Sequence, residues 1–510
     1  MCGIIGLWSP ETSENLEILL AGIKYLHRRG PEGKGAAFVN PFRGTIISTR
    51  ANTERSIQEF EGTVKRMAHD IRARMSLGQT RYITDDRPDQ KEIIESNTQP
   101  IHLAFDGAHG LKQEAIGVHN GQIEKKELLG EKIYPSAPSI ADVDSRFLFE
   151  LYMQRLRQVA DPWEATSMIM EELLEIDGAA SVGFSDGDNL IAWRDAKGYR
   201  PLVLGKVKDS HVFVSESGYF DEAAALFGRS NVKIERQILP GEMILINSKG
   251  DLETRVLIDL DKNGSKRTPC NFEDIYIKDV HSLDNSGSIS SRRIRENIGK
   301  AMAEFYSKEI ETIDFVIPVI KSGISYAQAF AFQSNKPYRD VLRKPVIKSN
   351  ERYFLSIKTD RMHSFVVDNT EVRNKEVAVI EDSIMRGDTA VELYVTLKDA
   401  GAKNVKIFSA WPPTFFDCYY GVDVKSEELI AYQIKDKSIL HYDQNNNFSY
   451  DIHQMNNSIT ELIREKVIAK YGNKYGDAKD LEIFYSPISL IKKTQSTKNA
   501  CLRCITKNYL

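Results

Sequence analysis

Apolar positions in the first half of the chain fall into short runs separated by longer amphipathic stretches. IIGLW is apolar throughout, which predicts a strand buried on both faces, whereas ENLEILLAGIKYLH repeats its apolar residues at helical period. GAAFVN and GTIIST read as strands, as do EAIGVHNGQ, AASVGFSDG, NLIAWRD, PLVLGK and HVFVSES, with SRFLFELYMQRL and WEATSMIMEELLEI as helices between them. This mixture predicts sheets layered with helices. Across INSKGDLETRVLIDLDKNGSKRTP the pattern gives way to charged and turn-forming residues, which marks a seam between domains. After Cys270 the pattern changes. IDFVIPVI, EVAVIED and NVKIFSAW are continuous β-branched runs of the kind found in parallel strands covered on both faces, and AVELYVTLKDAG supplies a helix between the last two. A doubly wound α/β domain follows, with its ligand expected outside the carboxyl ends of the strands. The expected division is 2–255, 256–480 and a basic, polar tail at 481–510.

Composition narrows the class. A chain of 510 residues exceeds one ordinary domain, and 41 % hydrophobic with 27 % charged residues is the balance of a soluble globular protein. The net charge of −4 gives no reason to expect nucleic acid or an anionic membrane as partner. No run reaches membrane-spanning length, and the apolar start lacks a basic n-region, so the expected compartment is the cytoplasm. The five cysteines, Cys2, Cys270, Cys418, Cys501 and Cys504, are sparse and odd in number, which favours catalysis or metal binding over disulfides.

Cys2 is either a buried strand residue or, once Met1 is removed, a nucleophile carrying its own base, because an α-amine titrates near about 7.7 to 8.0. Splitting glutamine also needs an oxyanion hole and opposite charges for the α-carboxylate and α-amine of the amino acid. Asn120 and the Gly121 N–H in VHNGQI suit the first, Arg81 in GQTRYIT and Asp144 in DVDSRFLFEL the second. Taken singly, HNG is a hairpin turn, Arg81 a surface ion pair and Asp144 a helix cap. Taken together, MCGI, RGPEG, TRY-I-T and HNG, followed by RDAKGYRPLVLGK and SESGYFD, resemble the class II glutamine amidotransferases in order and spacing. The resemblance implies an N-terminal-nucleophile hydrolase fold, αββα in layers, over roughly the first half of the chain. It assigns Cys2 as nucleophile, Asn120 and Gly121 as oxyanion hole, and Arg81, Thr84 and Asp144 as glutamine-holding residues.

In the second half, EVAVIEDSIMRGDTAVEL places Glu381 and Asp382 at a strand end, then a short loop that opens a helix near Thr389. Backbone N–H groups at a helix start, hydroxyls from Ser383 and Thr389 and a close-approaching Gly387 can hold a phosphate. Adjacent acids can bind ribose hydroxyls and a divalent cation. A capped helix with solvated acids explains the pattern equally well. The stretch resembles the ribose-phosphate motif of type I phosphoribosyltransferases, and the two halves in this order are similar to the amidophosphoribosyltransferase family. That resemblance implies hydrolysis of glutamine at Cys2 and internal passage of ammonia to phosphoribosyl pyrophosphate. The products are glutamate, pyrophosphate and 5-phosphoribosylamine, as in the first step of de novo purine synthesis. It places Ser322, Gly323, Glu381, Asp382, Ser383, Arg386, Gly387, Asp388 and Thr389 at the phosphoribosyl pyrophosphate, with Mg2+ at Ser322, Glu381 and Asp382, and it implies a homo-oligomer, expected as a tetramer.

The chain departs from that pattern in places. Glu381 replaces an aspartate, Asp388 stands where the family has threonine, Lys321 enters the pyrophosphate loop IKSGIS, and KSNERYFLSIKTDRMHSF takes the place of the usual lid. A carboxylate beside a phosphate is repulsive unless it points away or is neutralised. Two further readings therefore stand beside the first: a divergent paralogue whose glutaminase half serves another phosphorylated acceptor, and a non-catalytic regulatory nucleotide-binding protein. Cys270, Cys418, Cys501 and Cys504 suit zinc or an iron–sulfur cluster by their number, and CLRC alone also suits a redox pair. PCNFEDIYI, FDCYYGVD and CLRCITKNY are similar to the stretches that supply [4Fe-4S] ligands in bacterial members of the family, which implies that cluster here.

Overall fold

The opening run forms the strand Gly3–Trp8, every residue of which is buried. Its side chains alternate between two apolar layers. Ile5 and Leu7 meet Ile18, Leu19 and Ile23 of the helix Thr12–Leu26, while Ile4 and Trp8 enter a second core with Leu77, Val118, Ala192 and Ile244. A strand caught between two apolar layers needs the unbroken apolar run that the sequence supplies. The computed structural model describes residues 1–42, 45–82, 98–106, 112–133, 143–262, 266–345, 365–444, 447–494 and 499–507. The expected glutamine ligand Thr84 and the lid residues 348–364 lie outside the described residues.

Gly3–Trp8 sits inside a seven-stranded antiparallel sheet in the order Val232–Gln237, Val203–Val207, Ser210–Val214, Gly3–Trp8, Met75–Arg81, Gly33–Asn40, Thr45–Ala51. A second antiparallel sheet of six strands faces it, ordered Leu252–Val256, Glu242–Asn247, Asn189–Arg194, Ala179–Ser185, Lys112–Gln122, Ile101–Asp106. The helices Asp144–Val159 and Pro162–Ile176 cover the outer face of this second sheet, through Phe147, Leu151, Ile169 and Leu173 against Val182, Ile191 and Met243. The result is the layered αββα sandwich that the resemblance implies. The polar stretch expected to be a seam contributes the strand Leu252–Val256, most of it exposed. An edge strand with one face in water carries no apolar signal, which is why it reads as loop.

The second half builds a four-stranded parallel sheet in the order Phe315–Pro318, Glu376–Glu381, Asn404–Ser409, Leu481–Tyr485. Ile317, Val379 and Ile407 face the helices Asp388–Asp399 and Ile452–Tyr471, while Val316, Ile380 and Phe408 face the helices Ser291–Phe305 and Ile324–Ser334. Both faces are covered, as β-branched runs predict. Leu481–Tyr485 corrects the expected boundary at 480: the segment assigned to the tail begins with the fourth strand of this sheet. Among the described residues no helix is long and apolar enough to cross a membrane.

Candidate functional site

The register of the first sheet sets Gly3 opposite Thr80, which brings Cys2 beside Arg81. Burial lowers the Arg81 guanidinium from its ordinary value while Cys2 and Asp144 act in the opposite sense, so all three charges share one neighbourhood. Asn120 lies on the facing sheet in Lys112–Gln122 and is 1 % exposed, with neither Nδ2 nor Oδ1 partnered among the described residues. A buried amide without partners is costly unless a ligand satisfies it. At Gly121 a Cβ would fall 2.0 Å from the Ala179 carbonyl oxygen, so only glycine lets the two strands approach. Asp144 opens its helix and accepts the Ile123 N–H at 2.9 Å and the Ser145 N–H at 2.7 Å, which fixes the chain just beyond Asn120.

The Cys2 carbonyl accepts the Arg29 Nε–H at 2.9 Å. Arg29 pairs with Glu216 and, at 2.9 Å, with Glu273; Arg200 reaches the same Glu273 oxygen at 3.2 Å, and these four side chains are fully buried. Burial would raise the Glu273 carboxyl, but Arg29 and Arg200 hold it down at about 2. Arg200 also donates to the Tyr420 carbonyl at 2.7 Å, and a Cβ at Gly421 would lie 3.0 Å from the Gly121 carbonyl oxygen. The loop after Cys418 therefore touches the strand that carries Asn120.

At the carboxyl end of the parallel sheet, Glu381 and Asp382 are buried, and neither Glu381 Oε2 nor Asp382 Oδ2 has a partner among the described residues. Burial raises both carboxyls, and the adjacent Asp382 charge raises Glu381 further. Ser383 donates to Asp382 Oδ1 at 3.0 Å, and the Ser322 side chain, like that of Ser383, favours the ionised form of this carboxyl. Gly323 has no room for a side chain, since a Cβ would fall 2.3 Å from the Ile380 carbonyl oxygen. Two adjacent buried acids, each with an unpartnered oxygen and with Arg295 acting electrostatically on Asp382, fit a magnesium ion, which is commonly held by one or two carboxylates together with substrate phosphates. The loop then turns at Gly387, with φ of +84°, into the helix Asp388–Asp399. The Arg386 Nε–H donates to Glu428 at 2.6 Å. Lys466 donates to the Arg386 carbonyl at 2.8 Å and lies 3.9 Å from Asp388. The two centres come close at Tyr82, which follows Arg81 and lies within electrostatic range of both Asp423 and Arg386.

Cys270, Cys418, Cys501 and Cys504 line one cavity with Phe272 and Met385. All five cysteines are free thiols. Cys501 donates its N–H to the Pro269 carbonyl at 2.7 Å, and Phe415 donates to the Cys504 carbonyl at 3.0 Å, so the end of the chain is fastened both to the segment joining the halves and to the loop before Cys418. Among the described residues no three or more His, Cys, Asp or Glu are placed to hold a single metal ion. Burial pushes Cys270 up to about 11 and Cys501 to about 12, with the neighbouring cysteines adding to the effect. A positively charged group in the cavity would remove that obstacle to the thiolate form.

The family model of glutamine amidotransferases class-II matches residues 152–267. The amidophosphoribosyltransferase of Archaeoglobus fulgidus is 28 % identical over 442 residues, which cover 84 % of this chain and 87 % of that protein. That of Haemophilus influenzae is 26 % identical over 457 residues, covering 85 % and 83 %. The chain is a homologue of the amidophosphoribosyltransferases. A solved structure, the glutamine phosphoribosylpyrophosphate amidotransferase from B. subtilis complexed with ADP and GMP, shares the fold with a TM-score of 0.74 at 23 % identity, covering 100 % of this chain and 97 % of its own.

In this amidophosphoribosyltransferase homologue Cys2, Arg81, Asn120, Gly121 and Asp144 gather at one end of the sandwich, and Ser322, Gly323, Glu381, Asp382 and Ser383 at one end of the parallel sheet. Arg386 and Asp388 are engaged by Glu428 and Lys466, and Thr389 lies in the first turn of the helix that Asp388 opens. Sequence reasoning singles out the stretch around Arg29 without giving that residue a role, and it misses the buried charges Arg200, Glu216 and Glu273, although each lies within a quoted motif: RDAKGYRPLVLGK, SESGYFD and PCNFEDIYI. Lys466 gave no signal, since it is one of two lysines on a long amphipathic helix.

Proposed function

We propose that the chain hydrolyses glutamine at Cys2 and transfers the ammonia to C1 of phosphoribosyl pyrophosphate, forming 5-phosphoribosylamine, glutamate and pyrophosphate. The observation that carries this reading is a pair of buried, ligand-ready sites in one chain: the unpartnered Asn120 amide near Cys2, and the unpartnered oxygens of Glu381 and Asp382.

Removal of Met1 turns the Cys2 peptide nitrogen into an amine that takes the thiol proton as sulfur attacks the carboxamide carbon. Asn120 Nδ2 and the Gly121 N–H donate to the oxyanion, Arg81 holds the substrate carboxylate and Asp144 its ammonium. Collapse of the tetrahedral adduct expels ammonia, and water then splits the thioester to release glutamate. The loop Ser383–Thr389 holds the 5′-phosphate while ammonia displaces pyrophosphate from C1. Ser322, Glu381 and Asp382 are the residues that would hold magnesium, which when bound neutralises charge on the departing pyrophosphate. The four cysteines suit a [4Fe-4S] cluster better than one zinc ion, because they surround a cavity without converging on a point. Its role is to fasten the tail to both halves.

The test is purified anaerobic protein given glutamine, magnesium and phosphoribosyl pyrophosphate. Glutamine-dependent pyrophosphate release is the expected result; glutamate without pyrophosphate removes the acceptor reaction, and silence in both removes the enzyme. Visible absorption that bleaches in air separates an iron–sulfur cluster from zinc.

A further inference from the structure

We infer that Lys466 is the cation that gives the loop Ser383–Thr389 its preference for a phosphate dianion, and that Asp388 occupies this cation until the ligand arrives. The inference rests on the reading of that loop as a phosphate site. The loop leaves the buried acids Glu381 and Asp382, turns at Gly387 and opens the helix Asp388–Asp399. An anion placed there meets the N–H groups of a helix start. Asp388, in the first turn of that helix, sets a carboxylate at the same positive end, so acid and ligand compete.

Lys466 answers Asp388 from a different element, the helix Ile452–Tyr471. Its ammonium donates to the Arg386 carbonyl at 2.8 Å and stands 3.9 Å from Asp388 Oδ1. The first contact holds the loop's backbone and the second balances its acid. The loop's own cation, Arg386, is paired with Glu428 on the opposite side, its Nε–H donating at 2.6 Å. Each cation of the loop thus has a carboxylate before any phosphate binds. A neutral sugar hydroxyl cannot displace Asp388 from Lys466, because it brings no charge to replace the one removed. A monoanion only exchanges like for like. A phosphate monoester dianion brings more charge than the carboxylate and can accept from Lys466 while Asp388 turns to water, where its exposed side chain already lies. Lys466 is in this sense a specificity-determining residue, and Asp388 sets the threshold that a ligand must exceed.

The experiment is calorimetric titration of the full-length, magnesium-supplied protein with ribose 5-phosphate, alongside steady-state pyrophosphate release. K466A should weaken ribose 5-phosphate binding about 10- to 100-fold and raise KM for phosphoribosyl pyrophosphate more than it lowers kcat. K466R should restore most of the binding. D388N should tighten binding, and K466A should cost more in the D388N background than in the native chain, because no Lys466–Asp388 pair is given up there when the ligand binds. K466M, which keeps the apolar stem, replaces K466A if the latter lowers the thermal midpoint. Binding by K466A within about twofold of native, or an equal cost in both backgrounds, overturns the inference. So does failure of the native protein to bind ribose 5-phosphate. Loss of binding in K466A from a protein that releases no pyrophosphate supports the charge assignment while removing the acceptor reaction.

Discussion

At the end of the sandwich, Cys2, Arg81 and Asn120 come from the ends of three strands in two sheets, and register within each sheet together with the packing of one sheet on the other brings them together. At the end of the parallel sheet, Glu381, Asp382, Ser383, Arg386 and Asp388 come from one strand and the segment after it, and partners from elsewhere balance two of them, Glu428 at Arg386 and Lys466 at Asp388. The first centre depends on the placement of its backbone and rests on a buried, internally paired set of charges at the Cys2 carbonyl. The second is local in backbone and dependent on its neighbours for electrostatic balance. A register-built site tolerates little change in its strands, whereas a loop-built site can be retuned by one distant side chain.

Separate chemistry at the two ends is the first consequence that can be broken. C2A should lower glutamine-dependent pyrophosphate release by at least about 10³-fold. Release supported by an ammonium salt should persist, and parallel loss of both activities would show that the centres are not separable. Asn120→Ala removes one oxyanion donor, and kcat for glutamine hydrolysis should fall about 10²- to 10³-fold with a smaller change in KM.

The join between the regions gives the next effect. E273Q leaves Arg29 and Arg200 without their shared charge, at a cost of about 3 kcal/mol in unfolding free energy by denaturant titration at pH 7. The carboxyl is held at about 2 against an ordinary 4.5, so the native pairing stabilises fully above pH 4.5 and is lost as pH falls from 4.5 toward 2. The gap between native and E273Q midpoints should therefore narrow below pH 4.5; a constant gap would place the stabilisation in packing. The smallest effect is Y420F, which removes the hydroxyl that donates to Asp177 at 2.6 Å and should cost about 1 to 2 kcal/mol. A loss of that size with unchanged kcat would confine Tyr420 to holding the halves together.

The contrast also governs what the sequence could reveal. Strands buried on two faces, such as Gly3–Trp8 and Glu376–Glu381, announced themselves as unbroken apolar runs. Leu252–Val256 did not, because it borders water, and Leu481–Tyr485 did not, because it is short and lies next to a basic tail. Candidate residues inside motifs could be read off the chain, since order and spacing carry them. The chain of buried charges from the Cys2 carbonyl to Tyr420 could not, because it exists only when segments about 200 residues apart meet. Lys466 was hidden for the same reason, its meaning lying in a neighbour distant along the chain.

The meeting of Gly121 and Gly421 reaches beyond catalysis to how such a chain can be rebuilt. With 3.0 Å between the Gly121 carbonyl oxygen and the place a Cβ at 421 would occupy, and a φ of +100° at Gly421, a side chain there is strained and presses on the strand that carries Asn120. The halves are consequently not exchangeable parts. A hybrid that grafts this sandwich onto a foreign parallel domain inherits a working oxyanion strand only if the incoming loop offers bare backbone at that point.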